Sequence, residues 1–161
     1  MKNFPIIDKE TGREYWISRS VAVVVAVFTK DSVVVIQRGK GTPDPEYVGK
    51  YCLPCGYLDF DETCAQAARR ELIEETGLNL PLSDFKLVNI NDDPNGDKRQ
   101  NLTFRYVVRT PLSEEELELM FTTKNSEKDE VASIRFIKMS NIDMYELAFN
   151  HNNLIKELWL K

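Results

Sequence analysis

Apolar positions along this chain follow two periods, and the switch between them marks the elements. Residues 15–29 are rich in valine and aromatic side chains and read as one long strand, placed centrally. Residues 32–38 form a second strand, joined to the first by a hairpin turn at Lys30-Asp31. Residues 39–50 carry Gly41, Pro43, Pro45 and Gly49 and read as a loop. A short strand is expected at 51–53, and Pro54-Cys55-Gly56 then turns the chain. Residues 85–90 and 102–110 read as strands on either side of a polar loop, and 133–139 as a last strand.

Between these strands the period lengthens to that of a helix. Thr63-x-x-Gln66 is a capping-box signature, and Gly77 supplies a left-handed stop, so a helix is expected over about 64–76. At 100° per residue, with Glu71 at zero, Glu75 lies at about +40° and Glu74 at about −60°. Ala65, Ala68 and Leu72 fall at about 60° to 120°, a narrow apolar stripe beside the carboxylates. The helix is expected to pack by that stripe. A short helix should follow Ser113 or Ser140, and a C-terminal one should cover about 153–160, with Leu154, Ile155 and Leu158 on its apolar face. Strands with a central helix and flanking helices give an α/β chain with a mixed sheet between helices.

Length and composition narrow the class. At 161 residues the chain is read as a single domain, 1–161, able to bury a core. Its net charge of −5 gives no long-range attraction for polyanions, so no nucleic acid polymer is expected as a partner. Local cations must then attract any phosphate. The most apolar run, Val21 to Phe28, is too short to cross a bilayer, so no membrane partner is expected. The N-terminal residues lack the apolar core of a signal peptide, which makes a cytoplasmic location the default. The three cysteines include Cys52-x-x-Cys55. Zinc would need Cys64 and His151 as well, both far away in sequence, so the pair is read as reduced residues flanking a turn. His151, the one histidine, lies in a polar run and is expected at the surface.

Three carboxylates about 6 Å apart repel by roughly 3 kcal/mol per pair at an effective dielectric near 20. Arg70, one turn before Glu74, can neutralise part of that charge. A hard divalent cation can neutralise the rest, and Mg²⁺ favours such oxygen donors together with phosphates. The Glu114-Glu115-Glu116 run, by contrast, reads as a solvated face.

These residues sit in a longer motif. Gly56 is followed by five residues, Glu62, seven residues, and Arg70-Glu71-Leu72-Ile73-Glu74-Glu75-Thr76-Gly77-Leu78. It resembles the box of the Nudix hydrolases, G-x5-E-x7-R-E-U-x-E-E-x-G-U with U bulky and apolar, at every fixed position. The resemblance implies the Nudix-type α/β/α sandwich with a mixed sheet. It also implies metal-dependent hydrolysis of a phosphoanhydride in a nucleoside diphosphate linked to a group X. Mg²⁺ is the expected cofactor, with Mn²⁺ as the substitute. Glu71, Glu74 and Glu75 are implied metal ligands, joined by the backbone carbonyl of Cys55, where the family usually has a second glycine. Glu62 is implied to pair with Arg70. The general base is left between Glu71 and the loop acids Glu127, Asp129 and Glu130. The catalytic set is thus Glu71, Arg70, Glu62 and Glu130.

The box supplies chemistry, and the rest of the chain must supply recognition of X. Arg38, Lys40, Lys50 and Arg19 are candidates to grip phosphates. Tyr57 and Phe60, inside the box loop, are candidates to stack on a base, whereas Phe104 reads as core. The expected partner is a small nucleotide derivative, ADP-ribose-like or a nucleotide sugar. Pyrophosphohydrolysis of nucleoside triphosphates is the alternative. A silent ligand-sensing module would be expected to lose box glutamates, and an isoprenoid diphosphate isomerase would need more histidines. Family habit suggests a homodimer.

Overall fold

The computed structural model describes residues 3–96, 99–124, 126 and 129–161. In chain order the strands and helices are β1 (Phe4–Ile7), β2 (Glu14–Ile17), β3 (Val21–Phe28), β4 (Ser32–Arg38), β5 (Tyr51–Cys52), β6 (Cys55–Tyr57), α1 (Cys64–Thr76), β7 (Lys86–Asn91), β8 (Leu102–Arg109), α2 (Glu114–Glu118), β9 (Val131–Lys138) and α3 (His151–Trp159). Seven strands form one mixed sheet, with path β5-β4-β3-β8-β7, β6 added to β3 and β9 added to β4. β3 and β8 run parallel over eight paired positions, while the other pairs are antiparallel.

β3 organises the core because both of its faces are apolar. Val23, Val25 and Val27 face the cluster containing Ala67, Ala68 and Leu72 of α1. Val24, Ala26 and Phe28 face the cluster containing Leu154, Ile155 and Leu158 of α3. A strand period of two thus sends alternate residues to two helices, giving helix, sheet and helix layers. Among the described residues no helix is long and apolar enough to cross a membrane.

Three expected elements change. The strand expected over 15–29 breaks at 18–20, and its first part pairs with β1 in a separate two-stranded sheet, Phe4 opposite Ile17 and Ile7 opposite Glu14. Arg19 lies in that break, where its guanidinium donates to the carbonyls of Gln100, Asp92 and Asn101. β1, which includes Pro5, is an additional strand that the sequence reading did not name. The turn expected at 54–56 is partly strand, because Cys55, Gly56 and Tyr57 pair with Val24, Val23 and Ala22. The short helix follows Ser113, whose hydroxyl accepts the Glu116 N–H while the Glu116 carboxylate accepts the Ser113 N–H. After Ser140 only a 3₁₀ turn forms, within Met139–Met144. Glu114 also departs from the solvated reading: it accepts the Ser32 hydroxyl and pairs with Lys138.

His151 is not at the surface. It is 7% exposed, and its Nδ1 accepts the Leu53 N–H at 3.0 Å. Burial, with Arg105 and Arg38 nearby, pushes its pKa from 6.5 down to about 3. An unfolded chain protonates this ring below pH 6.5 whereas the folded one does not, so stability is complete above 6.5 and drains as pH falls toward 3. His151→Asn keeps an acceptor and removes the titration. In denaturant unfolding, the wild type should lose roughly 3 kcal/mol more than the variant between pH 6.5 and pH 4. Parallel pH profiles would contradict the buried neutral ring.

Candidate active site

α1 begins and ends as its sequence dictates. Thr63 Oγ1 accepts the Gln66 N–H, and Gln66 Oε1 accepts the Thr63 N–H. Gly77 closes the helix at φ 80°, its N–H bonded to the Ile73 carbonyl. A Cβ at Gly77 would lie 2.6 Å from Thr122 and 2.7 Å from the Met120 carbonyl, so glycine is needed for space as well as for φ. Ala67, Ala68 and Leu72 are fully buried against β3, and the short alanines let the helix approach closely. Glu75 follows on this buried side at 7% exposure, so it lies within the packed face rather than beside it.

β6 meets the carboxylates through its open edge. Gly56 bonds to β3, so Cys55 and Tyr57 turn their backbone groups the other way, as antiparallel alternation requires. On that open edge the Cys55 N–H donates to Glu75 Oε2 at 2.9 Å, and the Tyr57 carbonyl accepts Arg70 Nη2 at 2.8 Å. The Cys55 carbonyl points the same way as its N–H. Gly56 sits directly over Glu71: a Cβ there would fall 2.1–2.5 Å from the Glu71 carboxylate.

Arg70 ties the unit together. Nε and Nη2 grip Glu62 at 3.1 and 2.8 Å, while Nη1 reaches Glu71 at 2.8 Å and Glu74 at 3.0 Å. Glu62 also accepts the Asp59 N–H, which fixes the loop ahead of the helix. Arg70 in turn holds the Glu62 carboxyl below its usual range. Glu71 goes the other way. Burial lifts it from 4.5 to about 7; Glu74 and Asp59 add to the rise and Arg70 opposes it. Burial also holds Glu75 well above the ordinary carboxylate range, with the Cys55 thiol and Glu71 adding to the effect.

Glu71 and Glu74 share one guanidinium, Glu75 meets the Cys55 N–H, and together the three carboxyl groups form a hard, oxygen-rich donor set. That chemistry fits a divalent cation. Among the described residues, however, no three acidic, histidine or cysteine side chains already enclose an ion. Glu71 and Glu74 face Arg70, and Glu75 faces the Cys55 N–H.

The remaining candidates are placed less uniformly. Tyr57 and Phe60 are 42% and 76% exposed on the box loop, with Phe60 edge-on to Tyr15 at 5.7 Å. Arg38 is 9% exposed: its guanidinium bonds to Thr42, approaches Cys52 Sγ at 3.9 Å and stacks over Phe149, so here it faces the interior instead of gripping a solvent-side phosphate. Lys50 pairs with Glu146. Arg19 is spent on loop carbonyls. Phe104 packs on the core, as its sequence suggested. Glu130 is half-buried, and its carbonyl accepts the Gly39 N–H, which puts it beside the end of β4. Exposed Asp129 accepts the Gly41 N–H, and Glu127 lies outside the described residues. Cys52, Cys55 and Cys64 are free thiols. The sequence reading missed Arg99, which donates to the Tyr57 hydroxyl and to Asp44. Its position in a polar loop gave no periodic signal.

Fold and site together define a Nudix protein: the chain belongs to that family, whose NUDIX domain model matches residues 18–158, and it keeps every acidic position of the family's hydrolases. It is 26% identical over 153 residues to the ADP-ribose pyrophosphatase of Methanocaldococcus jannaschii, covering 94% of this chain and 81% of that protein. Its fold matches the NUDIX domain of Shewanella oneidensis NrtR, solved in complex with ADP ribose, at TM-score 0.70, 21% identity and coverage of 88% and 87% of the two chains. It also matches the bifunctional NMN adenylyltransferase/ADP ribose pyrophosphatase of Francisella tularensis, solved with AMP and a Mn ion, at TM-score 0.66 and 23% identity. That match covers 88% of this chain and 41% of the larger one.

Gly56→Ala tests the cradle. The nearest atoms to the new methyl belong to the movable end of Glu71, so the fold should survive, with a melting temperature within a few degrees of the wild type. The displaced carboxylate should lower phosphoanhydride hydrolysis about a hundredfold. Full turnover in the variant would show that Glu71 need not lie against β6.

Proposed function

We propose that this chain hydrolyses the phosphoanhydride of ADP-ribose-like compounds. Water adds to one phosphorus, the bridging oxygen leaves with the other phosphate, and the products are a nucleoside monophosphate and X-phosphate. From ADP-ribose these are AMP and ribose 5-phosphate. The observation that carries this reading is the placing of Glu71 and Glu74 on Arg70 and of Glu75 on the Cys55 N–H, side by side at the open edge of β6. The relative from M. jannaschii and the ligands of the two solved neighbours favour ADP-ribose over a nucleoside triphosphate.

Glu71, Glu74 and Glu75, with the Cys55 carbonyl, are the groups that would hold Mg²⁺ or Mn²⁺. Once bound, the cation would offset phosphate charge and lower the pKa of the attacking water. Arg70 keeps Glu71 and Glu74 facing one point and, through Glu62, fixes the box loop to the helix. Geometry favours Glu71 as acceptor of the water's proton, because it lies among the other acids against β6. The Glu130 backbone is bonded to Gly39, at the end of β4.

The test is product release from a panel of nucleotide derivatives. AMP and ribose 5-phosphate should appear from ADP-ribose with Mg²⁺ or Mn²⁺ and stop in excess chelator. Glu71→Gln should lower turnover by about 10² to 10⁴, whereas Glu130→Gln should leave it within about threefold. Undiminished hydrolysis in chelator, or no cleavage of any compound in the panel, would refute the reading.

A further inference from the structure

Two loops outside the helix are linked through Arg99 to one box side chain, Tyr57. Tyr57 lies opposite Ala22 on β3, whose small side chain leaves the ring without a large cross-strand neighbour. Gly56 faces Glu71, so strand alternation turns the Tyr57 ring to the other face of β6, while its carbonyl stays bonded to Arg70. Arg99 Nη1 donates to the Tyr57 hydroxyl at 3.2 Å, and its Nη2 donates to Asp44 Oδ1. The Asp44 side chain is only 16% exposed, and its carbonyl accepts the Tyr47 N–H, so it is a fixed anchor. The loop that carries Arg99 is held in turn by the Arg19 guanidinium on the carbonyls of Asp92, Gln100 and Asn101.

An exposed salt bridge contributes little to stability. This one does something more specific: it fixes the orientation of an exposed aromatic ring one residue from the glycine that covers Glu71. A planar face held rigid loses little entropy when a flat ligand stacks on it. With a lone pair of the phenol oxygen occupied by Arg99, the hydroxyl proton is directed outward and available to an acceptor.

We propose that Asp44, Arg99 and Tyr57 form a nucleobase-positioning relay, in which the base of the nucleoside diphosphate stacks on the Tyr57 ring and Arg99 and Asp44 hold that ring in place. Tyr57 touches the ligand; Arg99 and Asp44 are positioning residues. The inference rests on the hydrolase reading for its substrate and adds the group that reads the base.

The experiment uses the full chain, with ADP-ribose for kinetics and fluorescent 1,N6-etheno-AMP for binding without turnover. Arg99→Ala should raise KM for ADP-ribose about tenfold while kcat stays within about threefold, and Arg99→Lys should recover part of the loss. Tyr57→Phe, which deletes one hydroxyl, should shift KM in the same direction, so the test survives if Arg99→Ala fails to fold. Etheno-AMP should bind about tenfold more weakly to Arg99→Ala and Asp44→Asn, and its stacking-induced quenching should vanish in Tyr57→Ala. Unchanged KM and unchanged etheno-AMP binding in Arg99→Ala and Tyr57→Phe would overturn the relay, as would a loss confined to kcat. If the wild type cleaves no nucleotide yet binds etheno-AMP in an Arg99-dependent way, the relay stands and the hydrolase reading falls.

Discussion

Two glutamates taken out of water set the terms for this molecule. Glu71 and Glu75 lie against the open edge of β6, and the Arg70 guanidinium that answers Glu71 is shared with Glu62 and Glu74. Charge buried with incomplete compensation is costly. The surrounding elements concentrate that cost in one place. The capping box and Gly77 fix the length of α1, the alanines bring it onto β3, and Gly56 leaves room for the Glu71 carboxylate.

Such a site holds its protons tightly. Arg70 draws Glu71 and Glu74 inward, burial favours the protonated forms of Glu71 and Glu75, and a divalent cation would take the place of those protons. The site is divided accordingly. The helix and β6 bring the box acids together, and loops from distant parts of the chain build the surface beside them. Arg19 and Arg99 belong to that second group: neither is in the box, yet both fix the loop beside Tyr57.

Local signals in the sequence were sufficient for α1, because caps, period and stop all lie within a span of 15 residues, Thr63 to Gly77. They were sufficient also for β3, β4, β8 and β9, whose valine-rich or alternating runs carry their own period. What they could not show was set by contacts between distant residues. Arg19, at the break in the long strand, bonds to Gln100, and the buried His151 accepts the Leu53 N–H, 98 residues away. Arg38 was legible as a cation near the box, but its burial over Phe149 depends on a segment more than a hundred residues later. Glu75 was placed on the right arc of the helix; its depth follows from Cys55, whose strand pairing the Pro54-Cys55-Gly56 sequence disguised as a turn.

The central claim is that Glu71, Glu74 and Glu75 become a cation site once Arg70 lets go of the carboxylates it holds. Crystals grown with Mn²⁺ and AMP, measured at the manganese absorption edge, test it most directly. The account predicts an anomalous peak in coordination contact with at least two of Glu71, Glu74 and Glu75, with Arg70 released from the carboxylates that bind it. A peak elsewhere on the molecule, with Arg70 still bonded to Glu71 and Glu74, would contradict it.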